Sequence, residues 1–214
     1  MERLNQKYSS LCRNENEQSS DIYEHLPTLS EYASKCESII ELGVRGVVST
    51  YAFLNGLMHN SSDNKQLLMN DISPCDINEV LEITTTLPID VRYCWINDLE
   101  MTVNHKYDMT FIDTLHVYGQ LKRELEHYCN VTNKYIIMHD TTIDGENGEL
   151  YRKGLSYEQL YQYANNLGGE IGIPANELLL GLMPAVREFL QNHPEWVMEK
   201  QYTNNNGLTI LKRI

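Results

Sequence analysis

The sequence contains no paired cysteines. Its five, Cys12, Cys36, Cys75, Cys94 and Cys129, are scattered, with no Cys-x-x-Cys spacing. That excludes a legible paired-cysteine framework and reads as reduced thiols in a cytosol-like compartment. Basic residues are also scarce. Only 17 Lys and Arg face 30 Asp and Glu, for a formal net charge of −13 and a pI near 4.9. Lys122-Arg123 and Lys212-Arg213 are isolated pairs, not a basic stripe. A nucleic-acid partner, which needs clustered cations, is therefore excluded, and polyanionic acceptors are disfavoured. No apolar run approaches the roughly 18–20 residues of a membrane span. The opening "MERLNQKYSSLCRNENEQSS" has no apolar secretion core and reads as a mobile or loosely packed polar lead-in over residues 1–20. The expectation is a soluble, cytoplasmic protein with no membrane partner and no internal repeat.

What is present suits one α/β domain over 21–214, since 42% of the 214 residues are hydrophobic and 22% charged. In "DIYEHLPTLSEYASKC", 21–36, apolar residues recur at helical spacing, with Asp21 as N-cap and Pro27 tolerated in the first turns. "SIIELGV" (38–44) reads as a buried strand and 46–58 as a helix. Further strands follow at 66–72, 91–98, 107–114 and 133–141, with helices over 76–88 and 115–128 between them. Short apolar strands buried on both faces imply a parallel sheet between helices. The polar, Gly- and Tyr-rich segment 142–182 reads as a lid or acceptor-binding insertion. A helix then ends before Pro194, and Asn206-Gly207 between two strand-like runs signals a hairpin. The expected fold is a Rossmann-like, doubly wound seven-stranded α/β sheet, mostly parallel, with an antiparallel C-terminal hairpin.

Ligands bind where parallel strands end at their carboxyl edge. Acids stand at five such ends: Glu41, Asp71, Asp98, Asp113 and Asp140. In "ELGVRG", Gly43 and Gly46 permit a tight turn, while the helix start at Gly46 favours a negative group. The dinucleotide pattern GxGxxG is missing, because residue 48 is Val48. Glu41 reads as an acceptor of ligand hydrogen bonds or as a capping acid. Asp71 suits the two hydroxyls of a ribose, or a turn cap. Asp98 suits an adenine amino group, or a solvated turn. Asp113, His116 and Asp140 suit a divalent cation, with the acids as ligands and His116 as general base. The alternative makes Asp113 a helix cap and His116 a half-buried surface residue. His139 reads as a ligand, a donor behind the ligands, or packing. Tyr151, Tyr157, Tyr161 and Tyr163 read as packing or as platforms for a sugar, and Trp95 and His105 as packing or surface.

"IELGVRG", "FIDTLHVYGQLKRELE" and "YIIMHDT" together resemble class I S-adenosylmethionine-dependent methyltransferases, over about residues 21–214. The pairing "FIDxxHxY…HD" is similar to the cephalosporin-hydroxylase-like group and to small-molecule and sugar O-methyltransferases, including the methyltransferase domains of chlorella-virus glycan-building proteins. The resemblance implies transfer of a methyl group from S-adenosylmethionine to a hydroxyl of a small molecule or sugar. It assigns Glu41, Gly43, Arg45, Gly46, Ser49, Asp71, Asp98 and Asp113 to the cofactor. It assigns Asp113 and Asp140, with His139, to Mg²⁺ or Mn²⁺, and catalysis to His116 and Asp113. Two departures stand out: relatives carry a lysine at the position of His116, and an Asn at the position of Thr141. A homodimer and, for a viral chain, the host cytoplasm are compatible with these expectations. Two other classes compete. A nicotinamide-dependent oxidoreductase is opposed by the missing glycine and the terminal hairpin. A non-catalytic sugar-binding module is opposed by the Asp113–His116–Asp140 set.

Overall fold

A computed structural model describes residues 1–14 and 21–214. Its sheet is built from β1 (Ser38–Leu42), β2 (Lys65–Asp71), β3 (Ile89–Trp95), β4 (Tyr107–Ile112), β5 (Thr132–His139), β6 (Trp196–Tyr202) and β7 (Leu208–Arg213). The spatial order is β3-β2-β1-β4-β5-β7-β6. β1 to β5 run parallel, and β7 runs antiparallel to both β5 and β6. This is the expected Rossmann-like sheet with its antiparallel end. Asn205, Asn206 and Gly207 all take positive φ in the hairpin loop, at 45°, 68° and 99°, the backbone for which Asn-Gly is suited.

The central strands carry two cores at once. On β1, Ile39 enters one apolar cluster while Ile40 and Leu42 enter the other, and on β5 Ile137 and Ile136 divide in the same way. The first face is covered by α2 (Leu26–Ala33), α3 (Ser49–His59) and α4 (Asn78–Thr84), the second by α5 (Tyr118–Tyr128) and α8 (Leu182–Asn192). Side chains of a strand alternate between faces, so a strand apolar on both must be covered on both.

Several boundaries differ from expectation. Residues Glu2–Cys12 form a helix, α1, with Leu4 fully buried, where the polar composition predicts a loose lead-in. The cause is α3, whose residues from Ser49 to Leu57 are all buried. A helix apolar all round needs cover on its outer side too, and α1 contributes it, with ion pairs Lys7–Glu79 (2.7 Å) and Arg3–Glu82 (3.3 Å). The part of the lead-in at 15–20 lies outside the described residues. Asp21 caps no helix. A 3-10 turn, Tyr23–His25, leads into α2, and Asp21 accepts from Asn206 Nδ2 instead (3.0 Å). α3 starts at Ser49, not Gly46, and α5 starts at Tyr118, leaving residues 113–117 as a turn. The segment 142–182 is helical, with a 3-10 turn Glu149–Lys153, α6 (Tyr157–Ile171) and α7 (Ala175–Leu179) around a core of its own that includes Val117, Leu150 and Leu160. Ser156 and Gln159 cap α6 reciprocally. That S-x-x-Q spacing is a legible helix start. Among the described residues no helix is long and apolar enough to cross a membrane.

α2 and α3 meet closely at Gly56, where a Cβ would fall 2.3 Å from Ser30 O and 2.4 Å from Ala33 Cβ. Gly56→Ala should therefore lower stability by about 1–3 kcal/mol through overpacking. Gly169→Ala, on α6 with no atom within 4 Å of the new Cβ, should raise it by roughly 0.5–1 kcal/mol. Urea denaturation of both variants checks the pair.

Candidate functional site

Glu41 sits at the end of β1 with no exposed surface. Its partners are within the chain. Ser49 Oγ donates to one carboxyl oxygen (2.5 Å) and Thr50 Oγ1 to the other (2.7 Å). These bonds tie β1 to the first turn of α3. Burial pushes the Glu41 carboxyl up to about 8, against the opposing effect of the two hydroxyls. Glu41 and Ser49 thus serve each other. Neither they nor Gly46 line the cavity described below, whereas Gly43, Arg45, Asp71, Asp98, Asp113 and His116 do.

Gly43 has φ +86°, and a Cβ there would lie 1.8 Å from Asp113 O. Only glycine lets the turns after β1 and β4 touch in this way. Beyond it, Arg45 and Val47 also take positive φ, 35° and 58°, a costly conformation for a β-branched residue. Asp71 holds that turn in place. One of its oxygens accepts from Val44 N (3.0 Å) and Arg45 N (2.9 Å), the other from Ser73 N (2.9 Å).

A cavity of about 610 Å³ opens along the carboxyl ends of β1 to β4. Its floor runs from Asp71 and Ser73 past Gly43 to Asp113 and His116, and Glu149, Ile171 and Ile173 from segment 142–182 also line it. At one end stands Asp98, which lies in a 3-10 turn after β3 (Asp98–Glu100) and not on the strand. Gln120 of α5 donates to Asp98 (3.2 Å) and to Glu124 (2.8 Å), and Thr114 Oγ1 also donates to Glu124 (2.5 Å). Glu124 is fully buried, and burial raises both carboxyls, Glu124 further through the charge of Asp98. Sequence reasoning missed Gln120 and Glu124. The available signal was an acid placed between Leu121 and Leu125, on the apolar face of α5.

The opposite end is strongly acidic. His116 Nε2 lies 3.0 Å from Asp113 Oδ1, and His116 Nδ1 lies 3.0 Å from Asp140, 3.3 Å from Asp144 and 3.1 Å from Glu149. Arg152 donates to both oxygens of Asp144 and to Asp140 Oδ2. His139 is buried. Its Nε2 is 3.1 Å from Asn205 O in the hairpin loop, and its Nδ1 is 3.7 Å from Asp113 Oδ2 and 3.5 Å from Asp140 Oδ1. Burial alone would lower the His116 pKa, but hydrogen bonding to the surrounding carboxylates outweighs it and raises it. Asp113 is likewise held below its ordinary value by the two imidazoles, against burial. His116, the expected base, stands among these four acids. Asp144, Glu149 and Arg152 were not foreseen, because no spacing rule links an insertion to a strand end.

The donor set fits a divalent cation. Asp113, His139 and Asp140 form one grouping of ligand atoms within 4.8 Å of one another, and His116, Asp140 and Asp144 form a second. Asp140 Oδ1 is buried without a hydrogen-bond partner. Thr141 does not join. It is buried and accepts from Thr209 Oγ1 (2.9 Å), away from the acids. Tyr151, Tyr157, Tyr161 and Tyr163 are exposed, and none lines the cavity. Trp95 is also exposed, and His105 stacks on Tyr107.

No family model and no curated protein matches the sequence. Solved structures do match the fold. The S-adenosylhomocysteine-bound methyltransferase PaMTH1 of Podospora anserina aligns over 99% of this chain and 87% of its own, with a TM-score of 0.58 and 13% identity. An O-methyltransferase of Bacillus cereus in complex with S-adenosylhomocysteine aligns over 89% and 81%, with a TM-score of 0.55 and 14% identity. The N-methyltransferase NodS of Bradyrhizobium japonicum with S-adenosylhomocysteine aligns over 97% and 98%, with a TM-score of 0.55 and 12% identity. The shared feature is the methyltransferase fold.

The raised Glu41 carboxyl has a thermodynamic consequence. The folded group stays neutral up to about pH 8, while the unfolded one ionises near the ordinary glutamate value of 4.5. Its contribution to stability is complete below pH 4.5 and is lost as pH rises toward 8. Subtracting the Tm profile of Glu41→Gln from that of the wild type, by calorimetry, should leave a difference that falls across this interval. A flat difference would mean Glu41 is ionised in the folded chain.

Proposed function

We propose that this chain transfers a methyl group from S-adenosylmethionine to a hydroxyl oxygen of a small-molecule or sugar acceptor. One observation carries the reading: a single cavity joins a polar end suited to a nucleoside, at Asp71 and Asp98, to an acidic end at Asp113, His116 and Glu149. Similar folds that hold S-adenosylhomocysteine support the choice of donor. The glycine pattern opposes the nicotinamide alternative.

The roles follow from position. Asp71 is fixed by three backbone amides, and its remaining lone pairs accept from ribose hydroxyls. Asp98, steadied by Gln120, accepts from the adenine amino group. Gly43, whose missing side chain lets the β4 turn pack against it, presents backbone to the donor, and Ile72, Ile171 and Ile173 line the cavity with apolar surface. The donor supplies an already activated sulfonium methyl, so the chain's main task is alignment. A hydroxyl is a weak nucleophile until its proton is drawn off. Asp113 and Glu149 reach the cavity and accept that hydrogen bond. As the O–C bond forms and the S–C bond breaks, the proton leaves through His116 and the carboxylates around it to solvent. A divalent cation bound there would lower the hydroxyl pKa further. The net charge of −13 favours a neutral or cationic acceptor over a polyanion or nucleic acid.

S-adenosylhomocysteine should raise the Tm of the wild-type chain, and NAD at equal concentration should not, because only a ligand of the folded state stabilises it. Asp71→Ala should weaken S-adenosylhomocysteine binding by about tenfold or more, equivalent to roughly 1.4 kcal/mol. A thermal shift with NAD alone would overturn the reading.

A further inference from the structure

At the end of the cavity away from His116, two carboxyls in contact share too few donors. Glu124 is fully buried on α5 and does not line the cavity, whereas Asp98, Thr114 and Gln120 do. Glu124 Oε1 accepts from Thr114 Oγ1 (2.5 Å) and from Gln120 Nε2 (2.8 Å). The Gln120 amide has two N–H bonds, and the second goes to Asp98 (3.2 Å). Glu124 Oε2 is buried, and nothing donates to it. The neighbouring groups are committed elsewhere. The Tyr128 hydroxyl donates to the Asp98 carbonyl (2.7 Å), His127 Nε2 lies 3.2 Å from Met101 O, and Cys94 Sγ lies 3.3 Å from Met101 Sδ. Arg123 bonds Glu177 (2.7 Å). Among the described residues no ion pair reaches Asp98 or Glu124.

Two ionised carboxylates here would leave one buried charge unanswered. A single proton between them removes that cost. It belongs on the carboxyl with no exposed surface, at the oxygen to which nothing donates. We infer that Glu124 is held as a neutral carboxylic acid whose Oε2–H donates to Asp98, and that it thereby fixes Asp98 as an acceptor selecting a base with an exocyclic amino group over one with an oxo group. The directions of titration agree. Burial and the charge of Asp98 raise the Glu124 carboxyl, while burial raises Asp98 against the opposing effect of its hydrogen bond with Glu124. An ionised Asp98 offers the cavity lone pairs alone, which suit a ligand N–H. A protonated Asp98 would offer an O–H, which suits an oxo group. Glu124 touches no ligand and acts through Asp98, so it is a positioning residue. The choice of base rests on the methyl-donor reading above; the shared proton does not.

Infrared difference spectroscopy of the intact, ligand-free chain tests the proton. At about pH 7, where an ordinary glutamate is ionised, the carboxylic-acid C=O stretch should be stronger in the wild type than in Glu124→Gln. Calorimetric titration with S-adenosylhomocysteine and with its deaminated analogue, S-inosylhomocysteine, tests the selection. The wild type should bind the amino form about tenfold or more tightly than the oxo form. Glu124→Leu, which removes the donor to Asp98, should erode that preference by about tenfold. Glu124→Gln, whose amide N–H takes the place of the O–H, should restore most of it. A carboxylic-acid signal unchanged in Glu124→Gln overturns the inference without reliance on the Leu variant. So does a wild type that binds both nucleosides equally, or a Glu124→Gln chain no more selective than Glu124→Leu. A wild type that shows the signal and binds neither nucleoside supports the shared proton and overturns the choice of base together with the methyl-donor reading.

Discussion

A carboxylate taken out of water must be answered by protons, hydrogen bonds or positive charge. This molecule gathers its acids at one sheet edge and answers each differently. Glu41 stays neutral between two hydroxyls. Asp71 is met by three backbone amides. Asp98 stands beside the buried, raised carboxyl of Glu124, with Gln120 donating to both. Asp113 and Asp140 face two imidazoles and, for Asp140, Arg152. These answers divide the edge into acids that organise the turns and acids that remain available to something else. Glu41 belongs to the first kind. Asp71 does both, shaping a strained turn while keeping lone pairs toward the cavity.

The fold was legible because its signals were local. Strands apolar on both faces demand helices on both sides, and Asn206-Gly207 fits the positive φ of the hairpin. The ends of elements were less legible. Val47 sits at φ 58° in a turn that Asp71 stabilises from 24 residues away, so the helix after Gly46 begins later than its sequence suggests. α1 forms because α3 needs cover, a tertiary requirement that the polar composition of residues 1–14 conceals. At the site, the acids at strand ends were visible, but their tasks were not. Glu41 carries no mark distinguishing a ligand contact from a hydroxyl pair eight residues on. Asp144 and Glu149 reach His116 only through the path of the insertion, whose bridge Asn147–Leu180 and bond from Glu149 N to His116 O (3.0 Å) appear in no spacing rule.

The comparison structures include enzymes named for oxygen and for nitrogen methylation, so the fold leaves the acceptor atom open. In this chain the end of the cavity at Asp113 is ringed by carboxylates and imidazoles. The insertion matters twice there. Its helices wall the cavity with Ile171 and Ile173, and its first turn brings Glu149 and Arg152 to the acids. The sheet edge and segment 142–182 therefore share the walls of one cavity.

The most direct measurement is a crystal structure of the chain with S-adenosylhomocysteine. The account predicts a nucleoside whose ribose meets Asp71, whose adenine reaches Asp98, and whose sulfur points toward Asp113 and His116. A ligand bound elsewhere, or a folded chain that takes up none at saturating concentration, would contradict it.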